Sequence, residues 1–183
     1  MKGVAFRTVE ACFTELRGEA ARKRVDEFMP AELAEGFRYR TVLAAGWYGI
    51  DLYKALFRGL RLATAEGPEL AREIGRLAAR HDMAGVHKQI VAKIVSPQML
   101  LGMSQRVFST YYDTGTFDMI ESRRGFAHAR ASGCFGFDEN MWYELAGSCE
   151  SLLEIAGAKH VRTRLLGGGK DGDDFLEIEA RWA

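Results

Sequence analysis

The chain has 183 residues, 48% of them hydrophobic and 11% aromatic, enough to bury a substantial core within one domain spanning 1–183. Its 25 basic and 25 acidic side chains cancel, which argues against a protein whose affinity rests on neutralising a polyanion, so no nucleic-acid partner is expected. The start, MKGVAFRTVEACFTEL, is interrupted by Arg7, Glu10 and Glu15, and no later stretch reaches membrane-spanning length; the expectation is a cytoplasmic chain without a membrane span.

Helical spacing dominates residues 1–115. Phe6, Val9, Phe13 and Leu16 recur at helical intervals, and Val25, Phe28 and Met29 end a short second segment that Pro30 stops. After a loop around Gly46, the stretch Ile50 to Leu62 gathers Leu52, Tyr53, Leu56, Phe57 and Leu60 on one side. Gly67-Pro68 opens the next helix, whose stripe of Leu70, Ile74, Leu77 and Ala78 runs to a polar break at His81-Asp82. Met83, Val86, Ile90 and Ile94 are spaced for another. Ser96-Pro97 then reads as a cap and first turn for a helix carrying Leu100, Met103, Val107, Phe108 and Tyr111 inward, ended by Asp113-Thr114-Gly115.

From Thr116 the periodicity becomes two. Phe117 to Glu121 and Phe126 to Ser132 flank Arg123-Arg124-Gly125 as a hairpin, with Ala127, Ala129 and Ala131 alternating against His128 and Arg130. Asp138-Glu139-Asn140 starts a helix with the stripe Met141, Leu145, Cys149, Leu152, Leu153 and Ala156, stopped by Gly157. In the closing pair, Val161, Thr163 and Leu165 face opposite to Arg162 and Arg164, and Leu176, Ile178 and Ala180 opposite to Glu177 and Glu179. That arrangement predicts cross-strand pairing of Arg162 and Arg164 with Glu177 and Glu179. The expected fold is α+β: N-terminal helices, residues 1–115, packed on a C-terminal antiparallel sheet of ββαββ order, residues 116–183.

The glycine-rich stretch between those last strands invites chemistry that it does not support. A phosphate loop needs G-x-x-x-x-G-K-[ST] between a strand and a helix, whereas Gly167-Gly168-Gly169-Lys170 is followed by Asp171 and a strand. Asp171, Asp173 and Asp174 lack the downstream Glu of a calcium loop. The stretch reads as a hairpin tip.

Zinc would have to draw on Cys134, Cys149, Glu144, Glu150 and His128, but Cys149 sits on an apolar stripe, as a buried thiol does. The three cysteines are dispersed, which predicts reduced thiols. The four histidines form no HExxH, and no G-x-S-x-G elbow occurs. No metal, no cofactor and no catalytic residue is expected. The aromatic residues Trp47, Tyr53, Phe57, Phe108 and Tyr111, with Met99, Met103 and Met141, have the chemistry of an apolar pocket lining, although core packing explains the same pattern.

Four stretches together resemble one superfamily: Gly46-Trp47-Tyr48 ahead of an amphipathic helix, Ser96-Pro97 leading to Tyr111-Tyr112-Asp113-Thr114-Gly115, Gly157-Ala158-Lys159-His160-Val161 before a strand, and the closing Phe175 to Trp182. The resemblance is to the ligand-binding fold shared by haem–nitric-oxide-binding sensors, 4-vinyl-reductase-type domains, sensor domains of aromatic-responsive bacterial activators and Golgi transport-particle subunits. It is nearest to an uncharacterised bacterial paralogue family at the edge of that group. It implies helices on an antiparallel sheet, frequent dimers and, in some members, an apolar cavity. Vinyl-reductase-type and activator-type members carry cysteines at the final hairpin, where this chain has none. The haem sensors need an axial histidine, for which His87 on a predicted helix is available, and a Tyr-x-Ser-x-Arg clamp, of which no copy occurs. Haem is therefore not expected.

The leading expectation is a non-catalytic sensory or regulatory domain, homodimeric, binding a small apolar ligand between helices and sheet. Trp47, Tyr53, Phe57, Phe108 and Tyr111 would supply contact area. The alternative is a protein-interaction or dimerisation module without a small ligand, and third comes an enzyme.

Overall fold

Helical spacing governs the chain up to Tyr111, and strand spacing governs most of the remaining residues. The computed structural model, which describes residues 1–84 and 96–183, builds an α+β fold from that division. Among the described residues the order is α1 (Gly3–Val25), α2 (Ala31–Arg38), α3 (Ile50–Thr64), α4 (Glu69–Ala84), α5 (Pro97–Leu101), α6 (Ser104–Tyr111), β1 (Thr116–Arg123), β2 (Phe126–Ser132), α7 (Glu139–Ile155), β3 (Arg162–Gly168) and β4 (Leu176–Arg181). The four strands form one antiparallel sheet in the order β1-β2-β4-β3. The predicted ββαββ order is the observed one.

Several local expectations change in detail. α1 runs on to Val25 across a break at Gly18, whose φ of +82° and ψ of 165° suit a residue without a Cβ. The polar residues His81 and Asp82 do not break α4. Each has a partner on a neighbouring element instead: His81 Nε2 lies 3.0 Å from Glu15 of α1, and Asp82 accepts from Thr8 and Tyr111. The predicted helix through Val86, Ile90 and Ile94, with His87, lies outside the described residues. Ser96 caps α5 by accepting from the Met99 amide, in agreement with its predicted role. The single helix expected after it divides at Gly102 and Met103, where the poorest helix former after proline meets a non-helical ψ of 3°. The octapeptide α2 is not evident from spacing, because its Gly36 and brief length dilute the apolar pattern.

What holds the two layers together is the seam between α4 and α7. A Cβ added at Gly75 would stand 2.1 Å from the Glu144 carbonyl oxygen, and one at Gly147 would stand 2.1 Å from that of Arg72. The two backbones therefore approach as closely as glycine allows. Ser148 and Ser151 donate across the seam to the carbonyls of Gly75 (3.2 Å) and Arg76 (2.7 Å). Along its rim Arg72 reaches Glu150 (3.0 Å), Arg76 reaches Glu154 (2.8 Å), and Arg80 also reaches Glu154 (3.0 Å).

Register in the final hairpin corrects part of the predicted charge pairing. Arg164 does face Glu179, at 3.7 Å, but Arg162 faces Arg181. A bulge at Leu166 sets Gly167 opposite Glu177. Because β4 lies between β3 and β2, Glu177 accepts instead from Arg130 of β2, at 2.8 Å. The tip is a connector: the Gly169 amide donates to the Phe175 carbonyl, the Lys170 amide to Asp173, and Asp171 accepts from the Glu139 amide at the start of α7.

Candidate functional site

The inward positions of the sheet centre are small. β2 presents Ala127 and Ala129, and β4 presents Ala180 beside Ile178. α4 meets this surface with Ala78 and Ala79. Alanine at so many facing positions leaves space that larger side chains would have filled, and a cavity of about 130 Å³ opens there. Leu145, Cys149 and Leu152 of α7 line it on one side, Met1, Ala5 and Val9 of the N-terminal segment on another, and Leu100, Val107 and Phe108 close it from α5 and α6. Engineered apolar cavities of roughly 150 Å³ take up benzene.

Of the five residues expected to contact a ligand, Phe108 and Tyr111 line this cavity. Phe108 stacks on Tyr112 with ring centroids 4.5 Å apart, and the aromatic series continues through Phe137 to Trp142. Tyr53 and Phe57 lie in the fully buried core under α1, with Phe6 packed edge-on to Tyr53 at 4.9 Å. Trp47 is 48% exposed, with the Lys2 ammonium over its ring. These three stand outside the cavity wall among the described residues, because the α3 stripe that carries Tyr53 and Phe57 faces α1.

Two carboxyl groups stand in a mostly apolar wall that also carries Thr8, Ser104 and Ser148. Asp82 is fully engaged: Thr8 Oγ1 donates to Oδ1 at 3.0 Å and the Tyr111 hydroxyl to Oδ2 at 2.7 Å. Burial, and then Asp82, push the Tyr111 phenol well above its ordinary range, so it stays a donor. Glu144, from α7, is buried and accepts from the Tyr53 hydroxyl on Oε1 at 2.6 Å. Its Oε2 is also buried and has no hydrogen-bond partner among the described residues. Burial pushes this carboxyl up to about 8. The Tyr53 hydrogen bond opposes that shift, and the charges of Asp82 and Asp138 add to it. A glutamate in this state is mostly neutral at pH 7 and keeps a hydroxyl proton to donate. Cys149 is pushed up to about 12 by burial and then by Glu150, so it remains a thiol.

Sequence reasoning reaches Glu144 only as a conceivable zinc ligand, because its neighbours Tyr143 and Leu145 do not distinguish it from a solvated helix face. The run of alternating alanines in β2 is visible in the sequence and carries the information about free space. Among the described residues, no cluster of three or more histidine, cysteine or carboxylate side chains could hold a metal ion. No helix among them is long and apolar enough to cross a membrane.

No family model matches the chain, and no curated protein does. Solved structures do. A variant of the Fe(II) unliganded H-NOX protein from K. algicida superposes with a TM-score of 0.77 at 14% identity, covering 100% of this chain and 97% of that one. An Fe(II) H-NOX protein variant from S. oneidensis gives 0.76 at 13%, with 100% and 96% covered. An oxygen-binding H-NOX domain related to soluble guanylate cyclases gives 0.73 at 16%, with 100% and 95% covered. The likeness runs the length of both chains, and the arrangement of N-terminal helices and C-terminal four-stranded sheet is the H-NOX fold.

Proposed function

We propose that this protein is a non-catalytic sensory or regulatory domain that takes up a small apolar ligand in the cavity between its helices and sheet. The observation that carries the reading is the cavity itself: alanine-lined, closed by aromatic and aliphatic side chains, and placed between α1, α4, α7 and the sheet. The fold supports it, since proteins of this architecture include an oxygen-binding domain. The wider resemblance to vinyl-reductase-type and activator sensor domains, and to a bacterial paralogue family, belongs to the same reading.

The K. algicida and S. oneidensis H-NOX proteins are Fe(II) proteins, and another protein of this fold has its haem redox potential modulated by porphyrin distortion. The described lining of this cavity does not fit a haem. It contains no histidine, its thiol and phenols are held protonated by burial, and it presents two carboxyl groups with no arginine or lysine to face propionates. His87, the histidine expected on a helix, lies outside the described residues.

Native mass spectrometry of protein purified from its own host tests the proposal together with the variant Ala129→Leu, which fills the cavity from the sheet. Retention of a small molecule by the wild type and its loss in the variant are expected, and the same spectrum reads the expected homodimer. An empty wild type that also gives no NMR shift changes with methylenecyclohexane overturns the proposal. So does a stoichiometric haem with its Soret absorption.

A further inference from the structure

We propose that Glu144 is the polar anchor of this cavity, its second carboxyl oxygen donating a hydrogen bond to the carbonyl, or a similar neutral acceptor oxygen, of an otherwise apolar ligand. This rests on the reading of the cavity as a ligand site and adds the chemical class of what enters it.

Three observations meet at this residue. Glu144 lines the cavity, and Oε1 is occupied by the Tyr53 hydroxyl at 2.6 Å. Oε2 is buried without a partner among the described residues. Buried polar atoms almost always find a partner, and each exception calls for an explanation. Asp82, the other carboxyl of the wall, shows the contrast: each of its oxygens already accepts a bond from the protein, whereas Oε2 of Glu144 accepts none from the described residues.

The form of Glu144 selects the ligand. Among the described residues, the titratable groups that act on it are Tyr53 from α3, Asp82 from α4, Tyr111 and Tyr112 at the end of α6, Cys12 from α1, and Asp138 at the cap of its own helix. None is a cation. Burial, Asp82 and Asp138 all favour the neutral acid. With Tyr53 already donating to Oε1, the proton belongs on Oε2, and a neutral acid carries there a donor that no described residue accepts, on a side chain that lines the cavity. A ligand acceptor completes this bond at little desolvation cost, because the oxygen is already out of water. A purely apolar ligand would leave it unmade.

The test uses two probes of one shape, cyclohexanone and methylenecyclohexane, which differ in C=O against C=CH₂. Each is titrated into the full-length protein by NMR chemical-shift perturbation. Glu144→Met removes the donor at similar volume, and Glu144→Gln restores a donor while still accepting from Tyr53. The expected result is that Glu144→Met weakens cyclohexanone about tenfold relative to methylenecyclohexane, whereas Glu144→Gln leaves the ratio near that of the wild type. If both probes bind and the ratio is the same in wild type and Glu144→Met, the anchor is refuted while the cavity stands. If Glu144→Gln loses cyclohexanone as Glu144→Met does, the donor role is refuted. If neither probe binds the wild type, the cavity reading falls and the anchor with it.

Discussion

Glu144 makes a prediction about stability that needs no ligand. In the unfolded chain its carboxyl titrates near 4.5, and in the folded protein burial raises it to about 8. Between those values the folded state holds a proton that the unfolded state has lost, so stability falls as pH rises. The group's contribution is fully present below pH 4.5 and is gone once pH passes about 8. At about 1.4 kcal/mol for each pH unit, crossing that interval removes on the order of 4–5 kcal/mol, a large share of the roughly 5–15 kcal/mol typical of a whole domain. Glu144→Gln cannot ionise, and its amide oxygen still accepts from Tyr53. Urea denaturation of both proteins at about pH 4.5, 6, 7 and 8.5 isolates the effect, because every other titrating group is common to the two. The variant should match the wild type at the lowest pH and exceed it by a margin that widens up to about pH 8 and then levels. Curves that stay parallel throughout would show that Glu144 is ionised in the fold, and the argument for a neutral, donating carboxyl would collapse.

Gly147→Ala places a Cβ 2.1 Å from the Arg72 carbonyl, more than 1 Å inside the 3.4 Å at which ordinary contact begins. The seam must open, at a cost of about 3 kcal/mol, and a thermal melt showing a loss of less than about 1 kcal/mol would mean the helices are not so close. Burial pushes Glu150 upward, but hydrogen bonds from Thr163 and Arg76 and the charge of Arg72 outweigh it and hold the carboxyl below its ordinary range. Its contribution is therefore present above pH 4.5 and is lost as pH falls through the folded value. Glu150→Ala takes the short ion pair from Arg72 and leaves Arg76 with Glu154 alone, and should cost about 2–3 kcal/mol at pH 7, measured by denaturant titration. Ala129→Leu should abolish methylenecyclohexane binding with no loss of melting temperature, since it fills space already present; a destabilised variant would show that the space had been overstated.

Much of this architecture was legible in the residues themselves. Ser96 and Asp138 cap helices because their short oxygens reach the amides three residues on, a purely local fact, and the spacing of Leu176, Ile178 and Ala180 puts all three on a covered face of β4. Glycine-rich residues 167 to 172 form a tip for the same local reason. The lining of the cavity was legible only in part. Phe108 and Tyr111 reach the cavity, while Tyr53 and Phe57, on an equally apolar stripe, pack under α1, because periodicity says that a face is buried and not what it is buried against. Only the tertiary arrangement shows that β4 lies beside β2, giving Glu177 to Arg130, and that Gly75 meets Gly147's helix backbone to backbone. The same holds for Glu144: burial by elements far apart in sequence removes it from water and leaves one oxygen without a partner among the described residues, and desolvation is a property of surroundings that no single helix carries.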